Sequence, residues 1–180
     1  MDIDDLLENE KKIIDYLRRR DELKDYVWIM KQFGADVPDK EFFEKRFKRF
    51  YVIRFPSKAV VRELFEFLYN KESDLRTILE GLYRIDKNVQ FSFATKIKHT
   101  VEPDKPIWDS QIRRAFGLKT PNGINDACEK YNELERKFQE LLNDDRIKGM
   151  LDRTRASLII DKNDINDVKL LDFILWSYRR

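Results

Sequence analysis

The sequence predicts an all-α chain folded as a compact multi-helix bundle, and three observations carry that expectation. Apolar residues return every three or four positions in one segment after another, and no segment keeps the alternation of a strand. Gly and Pro number only five each, too few for the many tight turns of an all-β protein. Hydrophobic residues make up 42% and charged residues 39% of 180, which suits one core under a well-solvated surface. That length is short for two ordinary domains, so the expectation is a single helical domain over 1–180.

The elements follow from the pattern in chain order. Asp4 to Arg20 carries Ile3, Leu6, Leu7, Ile13, Ile14 and Leu17 near helical spacing, with Glu10 interrupting the stripe. Acidic residues at its start and Arg18 to Arg20 at its end match the helix dipole. Glu22 to Phe33 is a second helix with Leu23, Tyr26, Val27 and Met30 on one face, ending at Gly34. Pro38-Asp39 opens a third, whose buried stripe is read as Phe42, Phe43, Phe47 and Phe50, opposite Lys45, Arg46, Lys48 and Arg49. Aromatics interleaved with cations suit nucleic-acid stacking if exposed, and a core with snorkelling lysines if buried. Tyr51 to Pro56 reads as a short extended piece stopped by proline. Ser57 caps Lys58 to Tyr69, and Asp74 to Tyr83 is the next helix.

Beyond the middle of the chain, Lys119 to Gly123 is a loop, and Ile124 to Asn143 is a long helix. Its seam of Ile124, Ala127, Tyr131, Leu134, Phe138 and Leu141 is too short for a coiled coil and fits packing within the chain. Cys128 beside it reads as a small buried hydrophobe. Asp144 to Leu151 adds a short helix, and Lys148, Arg153 and Arg155 form a modest basic cluster. Asp164 is expected to cap a last helix that is apolar over most of its girth and packs centrally, with Arg179-Arg180 at the negative end of its dipole.

Composition excludes several function classes. Cys128 is the only cysteine and His99 the only histidine, so neither a disulfide nor a zinc site is expected, and no cofactor is implied. His99 reads as a surface or capping residue. Met1 is followed by the acidic DIDDLLENE, unlike a leader. No apolar run reaches the roughly 20 residues of a membrane span, so no membrane partner is expected and the default location is cytoplasmic. A net charge of +2 offers no general attraction for nucleic acid, which leaves only local patches. Oligomeric state is left open, leaning to a monomer.

One stretch speaks to function. Phe91 to Leu118 reads as a helix, a turn forced by Pro103 and Pro106, and a second helix capped by Asp109 and closed at Gly117. The run Pro106-Ile107-Trp108-Asp109-Ser110, followed by Ile112, Arg113 or Arg114, and Gly117-Leu118, resembles the motif of the helix-hairpin-helix DNA glycosylase superfamily. There a Pro-Val-x-Asp-x-x-Val-x-Arg type stretch follows a helix opened by a Gly-Val-Gly hairpin. The resemblance spans residues 85–118 and sets Asn88-Val89-Gln90 at the hairpin. It implies catalytic roles for Asp109, for Ser92 at the family's lysine-or-serine position, and for Lys96 one turn further along the same helix face. It also implies DNA contacts through Asn88, Gln90, Arg113, Arg114 and Lys119, with Trp108 or Phe93 beside an extruded base. Asn88 and Gln90 stand where the family has glycines, and no lysine falls in register for Schiff-base chemistry.

Three readings follow. The chain is a DNA-interacting protein of glycosylase-like build with lost or altered catalysis, or an active monofunctional base-excision N-glycosylase, or a helical protein-interaction or structural module without nucleic-acid binding. In the first two, a carboxylate at a helix start stabilises positive charge on the sugar or orients a water.

Overall fold

A computed structural model of the chain describes residues 2–53 and 56–178. These form eleven helices and no strand: α1 (Ile3–Glu8), α2 (Glu10–Arg18), α3 (Glu22–Gly34), α4 (Lys40–Phe50), α5 (Lys58–Tyr69), α6 (Leu75–Asp86), α7 (Phe91–Val101), α8 (Ser110–Ala115), α9 (Ile124–Asn143), α10 (Asp145–Leu158) and α11 (Asp167–Tyr178). Capping sets many of the starts. The side chains of Asp2, Asp39, Ser57, Asp74, Asp109 and Asp144 each accept from backbone amides of the following turn. Parts of the expected Tyr51–Pro56 piece and the Arg179-Arg180 tail lie outside the described residues.

Three boundaries differ from expectation for identifiable reasons. The first helix is two, broken at Asn9, whose Nδ2 donates to the Asp5 carbonyl at 2.8 Å and competes with the backbone ladder. The helix after Asp144 runs past the expected Leu151 to Leu158, where Ile159 ends it in the left-handed region at φ 55°. The final helix is capped by Asn166, which accepts from the Lys169 amide at 2.8 Å; Asp164 lies before it, in a turn over Asp161.

Helix α11 lies at the centre. Val168, Leu170, Leu171, Phe173, Ile174 and Leu175 are all buried, and the helix packs on α2, α8, α9 and α10. A second group joins it, in which α5 and α6 pack on each other and on α7, α6 also meets α9, and α3 lies on α4. One continuous apolar cluster runs through both, from Leu6 to Leu175. On α4, Phe43 and Phe47 are buried, which makes its apolar face core and not a stacking platform. Phe42 does not belong to that stripe; it sits a hundred degrees round the helix from Phe43 and is 52% exposed, edge-on to Trp28. The α9 seam is buried from Ala127 to Leu141, and Cys128 beside it is half-buried. No helix among the described residues is long and apolar enough to cross a membrane.

Candidate functional site

The α6–α7 turn is built around a carboxylate. Lys87 ends α6 in the left-handed region, at φ 61°, which turns the chain back. Asp86 then receives the Asn88 amide on Oδ1 at 3.0 Å and the Gln90 side-chain amide on Oδ2 at 2.6 Å. Asn88 Nδ2 donates to the Asp86 carbonyl at 3.1 Å. Thus Asn88 and Gln90 do come together at the hairpin, but three of their donors are engaged by the chain's own Asp86.

Helix α7 carries Ser92 and Lys96 on successive turns of one face. Ser92 is half-buried, and its carbonyl accepts from Thr95 Oγ1 at 3.2 Å. That oxygen in turn accepts from the Trp108 amide at 3.1 Å, so α7 holds the strand of chain leading into α8. Trp108 is buried against the Phe91 ring, with centroids 4.7 Å apart, and Tyr131 of α9 donates to the Pro106 carbonyl at 2.9 Å. Trp108 is therefore core, whereas Phe93 is half-buried. Asp109 is half-buried, and its Oδ1 accepts from the Gln111 and Ile112 amides at 2.7 and 2.8 Å, so it caps α8 with one oxygen. Gly117, at φ +64°, closes that turn. Arg113 is half-buried and donates to the Leu118 carbonyl at 3.3 Å, while Arg114 and Lys119 are exposed.

Lys96 points inward. It is 8% exposed, donates from Nζ to the Tyr51 carbonyl at 2.9 Å, and lies 5.3 Å from the centre of the Phe93 ring. Burial pulls its ammonium down to about 8; the Asp109 and Asp172 charges resist that shift, and Lys169 adds to it. An amine in that range is a usable base or nucleophile near neutrality when something can reach it. Here its hydrogen bond holds it in the protein.

Behind Lys96 lies a group that the sequence reading did not anticipate. Lys169 is 3% exposed, pairs with Asp172 Oδ2 at 2.6 Å, and sits between the rings of Phe173, Tyr26, Phe50 and Tyr51 at 4.5 to 5.9 Å. Burial raises the Asp172 carboxyl, against the pull of Lys169. His99, expected at the surface, is instead 1% exposed. Its Nδ1 lies 2.6 Å from the Lys105 carbonyl, which can only accept, so Nδ1 carries the proton and Nε2 accepts from Tyr26 Oη at 3.1 Å. Burial first, then the nearby Lys169 charge, lowers its imidazole to about 3. The signal for Lys169 and Asp172 was present: two charges three apart within Val168 to Trp176, a run otherwise apolar. Tyr26 and Tyr51 gave no such signal.

Two surface depressions lie away from this group. One, of about 370 Å³, is bordered by Lys48 and Arg62, and another, of about 550 Å³, by Lys11 and Arg153; neither is lined by Ser92, Lys96 or Asp109. No cluster of three metal-ligating side chains occurs among the described residues. Comparison with family models, with curated proteins and with solved structures finds no match for this chain.

Proposed function

We propose that the chain is a nucleic-acid-interacting protein of glycosylase-like build in which base-excision catalysis is lost or altered. One observation carries the reading: Thr95 Oγ1, next to Lys96 on α7, accepts from the amide of Trp108, next to Asp109, at 3.1 Å, so the α7–turn–α8 unit holds the helix bearing the candidate amine against the segment bearing the candidate carboxylate. The amine is closed in against Tyr51 and the carboxylate is half spent on capping α8, which supports altered rather than intact chemistry. Arg113, Arg114 and Lys119 beyond that cap supply the cations for phosphate contact.

A second reading, a helical structural or interaction module, is favoured by Asp86. A carboxylate occupying the hairpin donors puts negative charge where a phosphate would have to approach. Duplex DNA titrated at several salt concentrations separates the two. The first reading expects affinity to fall with salt, with Arg113→Ala/Arg114→Ala reducing the slope of log K against log salt by about one to two. A flat response in wild type transfers the assignment to the second. Release of a damaged base that disappears in Asp109→Asn would instead make the protein an active monofunctional glycosylase.

A further inference from the structure

Many cations among the described residues meet a carboxylate: Lys71 pairs with Asp36, Arg146 with Asp144, Arg153 with Glu10 and Arg155 with Asp167. Between α4 and α5, three cations without such a partner border one depression. Lys48, Lys58 and Arg62 border the depression of about 370 Å³, and none takes a carboxylate partner among the described residues. Lys58 and Arg62 are one turn apart on α5, an arrangement in which like charges repel. Glu44, one turn before Lys48, is engaged elsewhere: it accepts from the Tyr69 hydroxyl at 3.0 Å. Burial first, then Glu44 and Glu66, hold the Tyr69 phenol protonated far above its usual range.

The depression thus carries both signs of charge. Glu44 and Glu66 lie at its Tyr69 end, where Lys40 also stands 4.4 Å from the centre of the Tyr69 ring, and the unmatched cations lie one turn further along α4 and two to three turns back along α5. Val61 and the 3% of Phe65 left exposed give the lining a small apolar part between them. A ligand suited to this arrangement has a multivalent oxyanion at one end, a short carbon body, and hydroxyl or amine donors toward Glu44 and Glu66. We propose that the α4–α5 depression binds a phosphorylated small molecule, its phosphate held by Lys48, Lys58 and Arg62 and its body laid on Val61 and Phe65.

Calorimetric titration of the full chain with ribose 5-phosphate, pyrophosphate and inorganic phosphate at low salt tests this. The expected result is saturable binding of ribose 5-phosphate, tighter than that of inorganic phosphate because only the former has a body to seat. Lys58→Ala/Arg62→Ala should weaken it at least tenfold, while Lys24→Ala/Lys148→Ala, with the same loss of charge elsewhere, should leave it unchanged. Both altered side chains are exposed, and without ligand the double variant should melt at or above the wild-type temperature because repulsion is relieved. Absence of saturable binding, equal weakening in the control, or a lower melting temperature in the unliganded double variant would overturn the proposal. So would duplex DNA binding that needs Lys58 and Arg62 and that ribose 5-phosphate does not displace, because the surface would then be a strand contact.

Discussion

Lysines are handled in opposite ways at two places in this molecule. Between α7 and α11, Lys96 and Lys169 are buried, and each has an assigned partner: a backbone carbonyl for one, a carboxylate inside a ring of aromatics for the other. Between α4 and α5, Lys48, Lys58 and Arg62 line a surface depression with no carboxylate partner among the described residues. The difference is one of dielectric. An ammonium taken out of water costs several kcal/mol unless it is bonded, so a buried lysine must be answered within the chain. A charge that water still reaches can be left unmatched at little cost, and what is left unmatched stays available to a ligand. The inner group is therefore architecture first, and any chemistry at Lys96 has to work around that.

Breaking the inner pair should show the largest effect. Asp172→Ala leaves the Lys169 ammonium buried at 3% exposure without its carboxylate, at a cost of about 3–5 kcal/mol in chemical denaturation. Replacing both, as Lys169→Met/Asp172→Leu, should recover most of that loss, because an apolar pair of similar volume needs no partner. A single variant within about 0.5 kcal/mol of wild type would mean the pair does not hold α11 in place.

Acid should expose the same region next. The folded pKa of His99 is about 3 against 6.5 for a free imidazole, so between those values the unfolded chain binds the extra proton. Stability owed to the neutral ring is complete above pH 6.5 and is lost as pH falls toward 3. Between pH 7 and pH 4.5 the wild type should lose about 2 kcal/mol more than His99→Gln, which has nothing to protonate. Parallel losses would place the acid sensitivity elsewhere. Lys96 acts on the alkaline side and with the same sign. Its ammonium is pulled down to about 8 from 10.5, so the unfolded chain again holds more protons between those values, and stability rises as pH climbs from 8 toward 10. Relative to Lys96→Met, the wild type should gain up to about 2 kcal/mol across that interval, read from denaturant midpoints at matched ionic strength.

These residues also mark where sequence reasoning reached and where it stopped. Period and punctuation were enough for α5, α7, α8 and α9, because Ser57, Pro103, Asp109 and Gly123 act on their immediate neighbours. The Phe42 misplacement was avoidable, since 43, 47 and 50 already define a stripe that excludes 42. His99 was not recoverable in the same way. Its burial depends on Tyr26, 73 positions earlier, and on the carbonyl of Lys105, and neither partner leaves a local trace. The same holds for Lys96, whose partner is a backbone carbonyl 45 residues away. A resemblance in residues 85–118 could name Asp109, Ser92 and Lys96 together, yet it could not say which of them faces inward.

The smallest effect on stability, and the sharpest on the proposed function, belongs to Asp86. Its carboxylate organises a surface turn by accepting from Asn88 and Gln90, so Asp86→Ala should cost no more than about 1 kcal/mol. The functional consequence runs the other way. Removing the carboxylate frees those donors and takes one negative charge from the place a phosphate would occupy, next to Lys87 at the left-handed cap. If the hairpin meets nucleic acid, low-salt affinity for duplex DNA should rise several-fold in Asp86→Ala, and the gain should disappear when Lys87 is also changed to Ala. Unchanged affinity in a variant that remains folded would leave Asp86 as turn chemistry alone. The hairpin would then hold charge as the buried Lys169–Asp172 pair does, for the fold rather than for a ligand.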